Sequence, residues 1–438
     1  MIINKFGGEI MADPHLVSLA AQHIARQIKK GLQPVIVVSA LKGVTDDLLA
    51  MRDAKNAASA VDIVIKKHTA WAKDLLSHEG AKKVMKVLRR HAGSLKRFVM
   101  RNENGIGTKQ SIDAVVSYGE KLSSILFSAY LQERGIPAYC IRGEDVGIVT
   151  DENFGDAQVL YEESAKNIRN AVHQKDNEFI PVIAGFTGRT HTEKTTTLGR
   201  GGSDTTACVL GAALNASKVI LWKNVPGVLS ADPTRVKNAQ TVARMNYEEA
   251  EESGKVIHDK SMEFIRKENI TVEVAYIQNP KVRTVITKQG SSKKGVKIIS
   301  QKGGVRLMTI IGDKIKCAGA LAEISGIITR FKINMALIRN TRDSLYIVIE
   351  KNGHDISSCE AGIHDAGYTV RGRDVAMITV IGYLSWDMVE KFNHVLHTHT
   401  NNAELGAFPY RNCVRLEACV APNEAEAMVR IFHKTFIK

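Results

Sequence analysis

Thr195-Thr196-Thr197-Leu198-Gly199-Arg200-Gly201-Gly202-Ser203-Asp204-Thr205-Thr206 is the most informative stretch of this 438-residue chain. The apolar run FIPVIAGF (179–186) precedes it and reads as a strand, and SDTTACVLGAALNA (203–216) reads as the helix that follows. Glycines between them let the backbone approach a ligand closely, and a helix start offers unpaired N–H groups to an anion. Ser203 or Asp204 also suits a plain helix cap. Capping alone gives no reason for Arg200 and the run of glycines, so the stretch reads as a binding loop.

Outward from this loop the same alternation recurs. MIINKF reads as a strand ending at Gly7-Gly8, followed by an amphipathic helix over 14–31. PVIVVSA (34–40) is short, Val-rich and almost wholly apolar, the pattern of a strand covered on both faces. IPAYCI, KVILW and ITVEVAYI add strands, and LSSILFSAYLQERG adds a helix. Strands alternating with helices predict a mostly parallel sheet in an α/β domain spanning 1–290. Residues 289–304, QGSSKKGVKIISQKGG, read as a linker or crossover. Beyond them, two small α+β units of βαββαβ type are expected at 305–370 and 371–438. The second copy is degenerate, because it lacks the Gly319-Ala320-Leu321-Ala322 helix opening of the first.

Composition narrows the function classes. Hydrophobic residues make up 44% and charged residues 24%, which excludes a disordered or collagen-like chain. No apolar run reaches the ~18 residues of a membrane-spanning helix, and the first residues lack the pattern of a secretory signal. The six cysteines show no CxxC spacing, which fits a reducing cytoplasm and no structural metal site. The net charge of +14 is concentrated in residues 51–110, which hold 14 Lys+Arg against 5 Asp+Glu. That segment reads as peripheral helices with a solvated basic face; it has no nucleic-acid-binding module. Neither a membrane nor a nucleic acid is therefore expected as a partner.

Lys5-Phe6-Gly7-Gly8 is a second glycine-rich bend with a cation at a strand end, a pattern suited to phosphate. It is not GxxxxGK[ST], and no GxGxxG opens the first helix, so neither a P-loop nor a dinucleotide fold is expected. A GxSxG elbow is absent too.

KFGG at 5–8, VVSALKGVTD at 37–46, SYGEKLS at 117–123, GFTGRTHTEKTTTLGRGGSDTTA at 185–207 and WKNVPGVLSADP at 222–233 together resemble aspartate kinase of the amino-acid-kinase superfamily. The paired C-terminal units are similar to that family's ACT domains, and the match runs along nearly the whole chain. The resemblance implies a three-layer αβα amino-acid-kinase domain and two ferredoxin-like ACT domains. It implies transfer of phosphate from ATP, with Mg2+, to the side-chain carboxylate of L-aspartate, the first step toward lysine, threonine and methionine. Such a carboxylate is ionised at pH 7 and needs no general base; cations and N–H dipoles must instead bring two anions together.

By that resemblance Lys5 and Asp204 are catalytic, and Lys5, Gly7 and Gly8 hold phosphate. Arg200 grips the α-carboxylate with Gly201 and Ser203, Glu120 holds the ammonium, and Ser39 and Thr45 add hydrogen bonds. Lys223, Ser230, Asp232, Arg235 and Lys255 are placed on the nucleotide. Gly319, Ala320, Leu321, Ile333 and Asn334 match an ACT effector loop, implying lysine or threonine as effector and a homodimer or higher oligomer through these domains. The chain departs from the family at Glu9-Ile10, where Thr-Ser is usual, at Lys223-Asn224, where Thr-Asp is usual, and in a shortened 253–259 region. Glu9, Ile10 and the shortened 253–259 region motivate an alternative: a catalytically weakened amino-acid sensor with the same fold.

Overall fold

Asn4, Lys5 and the apolar residues around them sit in strands whose side chains are buried on both faces, so alternate residues serve two different helical layers. The structure, a computed structural model, describes residues 1–52, 57–101, 106–173, 179–254, 257, 259–291, 295–351, 353–400 and 414–437. It divides into two units, 1–228 with 241–291 and 229–240 with 292–438.

The strands of the first unit are β1 Ile2–Phe6, β2 Pro34–Val38, β3 Ala138–Ile141, β4 Ile180–Ala184, β5 Thr187–Arg189, β6 Thr195–Thr197, β7 Lys218–Lys223, β8 Arg244–Asn246, β9 Val272–Tyr276 and β10 Arg283–Thr287. Its helices are α1 Gly8–Ala12, α2 Pro14–Lys29, α3 Val44–Leu49, α4 Ala57–Leu75, α5 His78–Met100, α6 Lys109–Val116, α7 Tyr118–Glu133, α8 Tyr161–His173, α9 Gly202–Ala213, α10 Tyr247–Glu252 and α11 Asp259–Glu268.

Eight strands form one sheet in the order β3-β4-β2-β1-β7-β9-β10-β8, parallel except where β10 meets β9. Ile2, Phe6, Ile36, Val38, Ile220 and Trp222 face one layer, in a core shared with α2, α4, α5 and α7. On the opposite face α9 packs on β1, β2 and β7 and lies against α8 and α11. Gly211 of α9 has no side chain because a Cβ there would stand 2.4 Å from Val219 Cγ2. Three layers result, the αβα architecture expected.

The second unit contains β11 Gly295–Ile311, β12 Met335–Asn340, β13 Ser344–Glu350, β14 Thr369–Tyr383 and β15 Arg415–Val420, with α12 Ala320–Arg330, α13 Ile356–Asp365, α14 Trp386–His399 and α15 Ala425–Phe436. They form one antiparallel sheet, β12-β13-β11-β14-β15. Two α+β halves are visible in separate cores, one around α12 and α13 and one around α14 and α15. The expected linker at 289–304 is instead mostly strand: from Gly295 the chain pairs with the far half of β14, and a register shift at Gly303-Gly304 lets β11 continue along β13. Lys297, Ser300, Gln301 and Lys302 belong to this half-exposed strand, which dilutes the apolar signal.

Residues 229–240 fold into the second unit. Ser230 is buried there, hydrogen bonded to His433 Nε2 at 2.9 Å and accepting from the Gln240 N–H. Among the described residues no helix is long and apolar enough to cross a membrane. In the basic 51–110 region, α5 buries Val84, Leu88, Leu95 and Val99 and turns its lysines and arginines outward.

Candidate active site

In a parallel sheet the C-terminal strand ends beside a topological switch form a crevice. Here β1 is that point: β2 lies on one side of it and β7, far later in the chain, on the other. Residues 3 and 5 of β1 and 219, 221 and 223 of β7 share the face covered by α9, because strand side chains alternate. Lys5 and Lys223 therefore project toward the first turn of α9, where Asp204 stands between them. Lys5 Nζ lies 2.6 Å from Asp204 Oδ1 and Lys223 Nζ lies 3.1 Å from Oδ2. Burial pushes the Lys5 ammonium below its ordinary pKa, against the pull of Asp204. Burial pushes the Asp204 carboxyl up, but Lys5 and then Lys223 outweigh it and hold Asp204 below the usual carboxylate range. Two cations thus share one carboxylate, leaving an excess positive charge.

Two backbone bends flank this triad. Gly8 opens α1 where a Cβ would stand 2.5 Å from the Ala40 carbonyl oxygen, so the 7–8 and 39–42 loops touch through bare backbone. The Ser39 N–H donates to Phe6 O and the Lys42 N–H to Gly8 O, both at 3.1 Å. The second bend is Gly199-Arg200-Gly201. Gly199 and Gly201 have φ of +74° and +70°, a left-handed conformation that L side chains rarely adopt. Gly201 caps α9 without any side-chain hydrogen bond, so N–H groups of the first turn remain for an anion. Neither Ser203 nor Asp204 is the cap.

The bend is fixed from behind. Thr206 Oγ1 accepts from the Phe186 N–H and donates to Gly202 O. Asp113 of α6, fully buried, accepts from the N–H and hydroxyl of Thr197 and from the Gly155 N–H, at 2.8–2.9 Å. Burial raises its pKa, and those three donors work against the rise. Lys121 of α7 pairs with Glu144 at 2.5 Å, and Glu144 accepts from the Thr195 hydroxyl. None of Asp113, Lys121, Glu144 and Thr206 was singled out from the sequence. The register of β5 with β6 gives them their meaning, and no local pattern signals it.

Glu120 lies in the first turn of α7, 4% exposed. Burial pushes its carboxyl up to about 7, although it accepts from backbone N–H groups including that of Ala40 and feels Lys5. Its Oε2 has no hydrogen-bond partner among the described residues. A buried acceptor left open beside the 39–45 loop suits a ligand cation. Ser39 and Thr45 are half-buried on that loop and the α3 start, which Gly43 caps. Arg200 is exposed at the tip of its bend.

Lys5, Gly7, Gly8, Ser39, Thr45, Glu120, Arg200, Gly201, Ser203, Asp204 and Lys223 thus all lie within the first unit, Lys5 and Lys223 near the ends of β1 and β7 and the others on loops or helix starts. Ser230, Asp232 and Arg235 lie in the second unit: Asp232 caps the turn at Thr234 and Arg235 donates to Gln301. Lys255 lies outside the described residues. Trp222 is core, stacked on His23 at 4.4 Å and donating to Asn4 Oδ1. Of the departures, Ile10 is fully buried in the core and Glu9 is exposed. In the second unit Gly319, φ +95°, caps α12 without a side-chain bond, and Ala320 and Ile333 share a core while Leu321 and Asn334 face outward.

Residues 1–276 match the model of the Amino acid kinase family. Aspartokinase 1, chloroplastic, of Arabidopsis thaliana is 29% identical over 472 residues, covering 100% of this chain and 80% of that protein. The aspartokinase of Thermus thermophilus is 25% identical, covering 100% of this chain and 98% of its own. Among solved structures, E. coli aspartokinase III in complex with aspartate and ADP superposes with a TM-score of 0.84 at 23% identity over the whole of both chains.

Proposed function

Because the chain belongs to the amino acid kinase family, we propose that it is an aspartate kinase, transferring the γ-phosphoryl group of ATP to the side-chain carboxylate of L-aspartate to give 4-phospho-L-aspartate. The observation that carries this reading is the Lys5–Asp204–Lys223 triad under the uncapped start of α9. Full-length similarity to aspartokinases supports it.

The work of the site is positioning and charge neutralisation. Lys5 and Lys223, held apart by Asp204, face the polyphosphate and offset the charge gathering on the transferred group. The N–H groups at Gly7, Gly8 and the first turn of α9 add dipoles that need no reorganisation. Arg200 suits bidentate capture of the α-carboxylate, and Glu120 the substrate ammonium. The side-chain carboxylate then points along the line between the two bends, where it attacks without a general base.

Among the described residues no three His, Cys, Asp or Glu side chains gather as a metal nest, and Asp204 has both oxygens on lysines. Mg2+ would therefore arrive with ATP rather than rest on a carboxylate nest of this chain, and would supply charge neutralisation to the nucleotide.

The product is an acyl phosphate, and it feeds the synthesis of lysine, threonine and methionine. The exposed start of α12 and the 332–334 turn are the place for an amino-acid effector, lysine or threonine, and the antiparallel sheet of the second unit pairs subunits. A panel of L-aspartate, L-glutamate and N-acetyl-L-glutamate with ATP and Mg2+ tests the assignment. ADP release with aspartate alone supports it; turnover with either other acid in preference overturns it. The sensor reading predicts aspartate binding with no ADP release from the wild type.

A further inference from the structure

A second cavity lies away from the Lys5–Asp204 triad, between α5, α7 and the edge strand β3. Its volume is 640 Å³, ample for a small organic molecule. Val84, Val87, Ile125, Ala129 and Ile141 give it an apolar floor. Over that floor stand cations. Lys121 is 9% exposed, and its ammonium lies over the Tyr118 ring and against Glu144. The Arg142 side chain, 59% exposed, spends Nε on Asp145 at 2.6 Å and leaves its two terminal nitrogens to solvent, with no hydrogen-bond partner among the described residues. The Ser128 hydroxyl, also on the wall, has no hydrogen bond among the described residues. His91 senses the local field: burial, then Lys121, Arg142 and Arg90, hold its ring below the ordinary imidazole pKa.

An apolar chamber with a planar guanidinium and a buried ammonium at one side matches one ligand shape. A carboxylate takes the two terminal nitrogens of Arg142 side by side, and its apolar body fills the floor.

We propose that this cavity is a second ligand site, for a small monocarboxylate with an apolar body, anchored by Arg142 and Lys121. It does not draw on the kinase reading, because neither residue belongs to the Lys5–Asp204–Lys223 triad. Geometry nevertheless connects the two places. Lys121 follows Glu120 on α7, and its partner Glu144 holds Thr195 at the base of the 199–201 bend.

Titration calorimetry on the full-length protein with 4-phenylbutyrate and its neutral analogue 4-phenylbutyramide decides the matter, without any measurement of activity. The acid binds at least ~10-fold tighter than the amide, as a charge-assisted pair demands. Arg142→Gln weakens the acid at least about fivefold and leaves the amide unchanged, and Val87→Trp, which fills the chamber, removes both. Circular dichroism melts confirm that each variant is folded; if Val87→Trp is not, the Arg142→Gln arm still decides. No binding of the acid up to about 5 mM, equal affinity for acid and amide, or an unchanged acid affinity in Arg142→Gln would each overturn the proposal.

Discussion

Glu120 shows how one buried carboxyl ties stability to substrate. Its pKa is pushed up to about 7 in the fold against an ordinary 4.5. A raised carboxyl pKa means that the native state prefers the neutral form. The associated stability is fully present below the unfolded value and is lost as pH rises through the folded one. The gap corresponds to about 3 kcal/mol. Glu120→Gln removes this penalty, so the melting temperature of the variant minus that of the wild type should grow between pH 5 and pH 8 without ligand; a flat difference contradicts the assignment. The substrate ammonium should restore the charged form, so L-aspartate binding near pH 7 should release about half a proton, and more at lower pH, measurable by calorimetry in buffers of different ionisation enthalpy. Lys5→Ala should lower kcat at least ~100-fold, the scale for removing a preorganised charge at the reacting group. Lys223→Thr, which leaves the 2.6 Å Lys5–Asp204 contact, should cost less, about 10-fold. Lys5, Asp204 and Glu120 each lie in a short motif, so the resemblance could mark them as candidates, and the fold pairs the first two. Asp113 was not: its three donors come from residues 155 and 197, brought to it only by the fold.

At the scale of elements, the glycine bends and their supports decide whether the site forms at all. Gly8→Ala must displace the Ala40 carbonyl from a Cβ at 2.5 Å. A loss of about 1–3 kcal/mol in chemical denaturation is expected. Asp113→Ala leaves the Thr197 N–H and the Gly155 N–H without their acceptor, with a cost of about 2–4 kcal/mol and a raised KM for aspartate as the 195–201 segment loosens. Unchanged stability and KM would show that the bend is held by something else. Most strands and helices were legible from period and glycine punctuation. The 295–304 part of β11 was not, because a stretch rich in Lys, Ser and Gly carries little apolar signal until β14 pairs with it, whereas VRLMTIIG (305–312) reads as a strand by itself. The β5–β6 pair was hidden too, as three-residue strands of Thr, Gly and Arg lie below the length at which alternation can be read.

For the whole molecule, two units share one chain, and the 229–240 segment belongs by its contacts to the second. The resemblance placed Ser230, Asp232 and Arg235 on the nucleotide; in the fold Ser230 bonds His433 and Gln240, Asp232 and Arg235 pair with each other, and they also meet Thr234 and Gln301. If the α12 start holds an effector, then Gly319→Val, forced into φ +95°, should raise the lysine or threonine concentration for half-effect at least about tenfold. By linkage, the effector that weakens aspartate binding must itself be weakened by aspartate to the same degree. The central claim is nonetheless chemical: the triad beneath α9 moves phosphate onto a carboxylate. Trapping the acyl phosphate with hydroxylamine, for wild type beside Lys5→Ala and Asp204→Ala, reads that event directly. The account predicts hydroxamate that requires both ATP and L-aspartate and falls at least ~100-fold in each variant. Wild-type protein that binds both ligands and yields no hydroxamate, or hydroxamate that survives both substitutions, would contradict it.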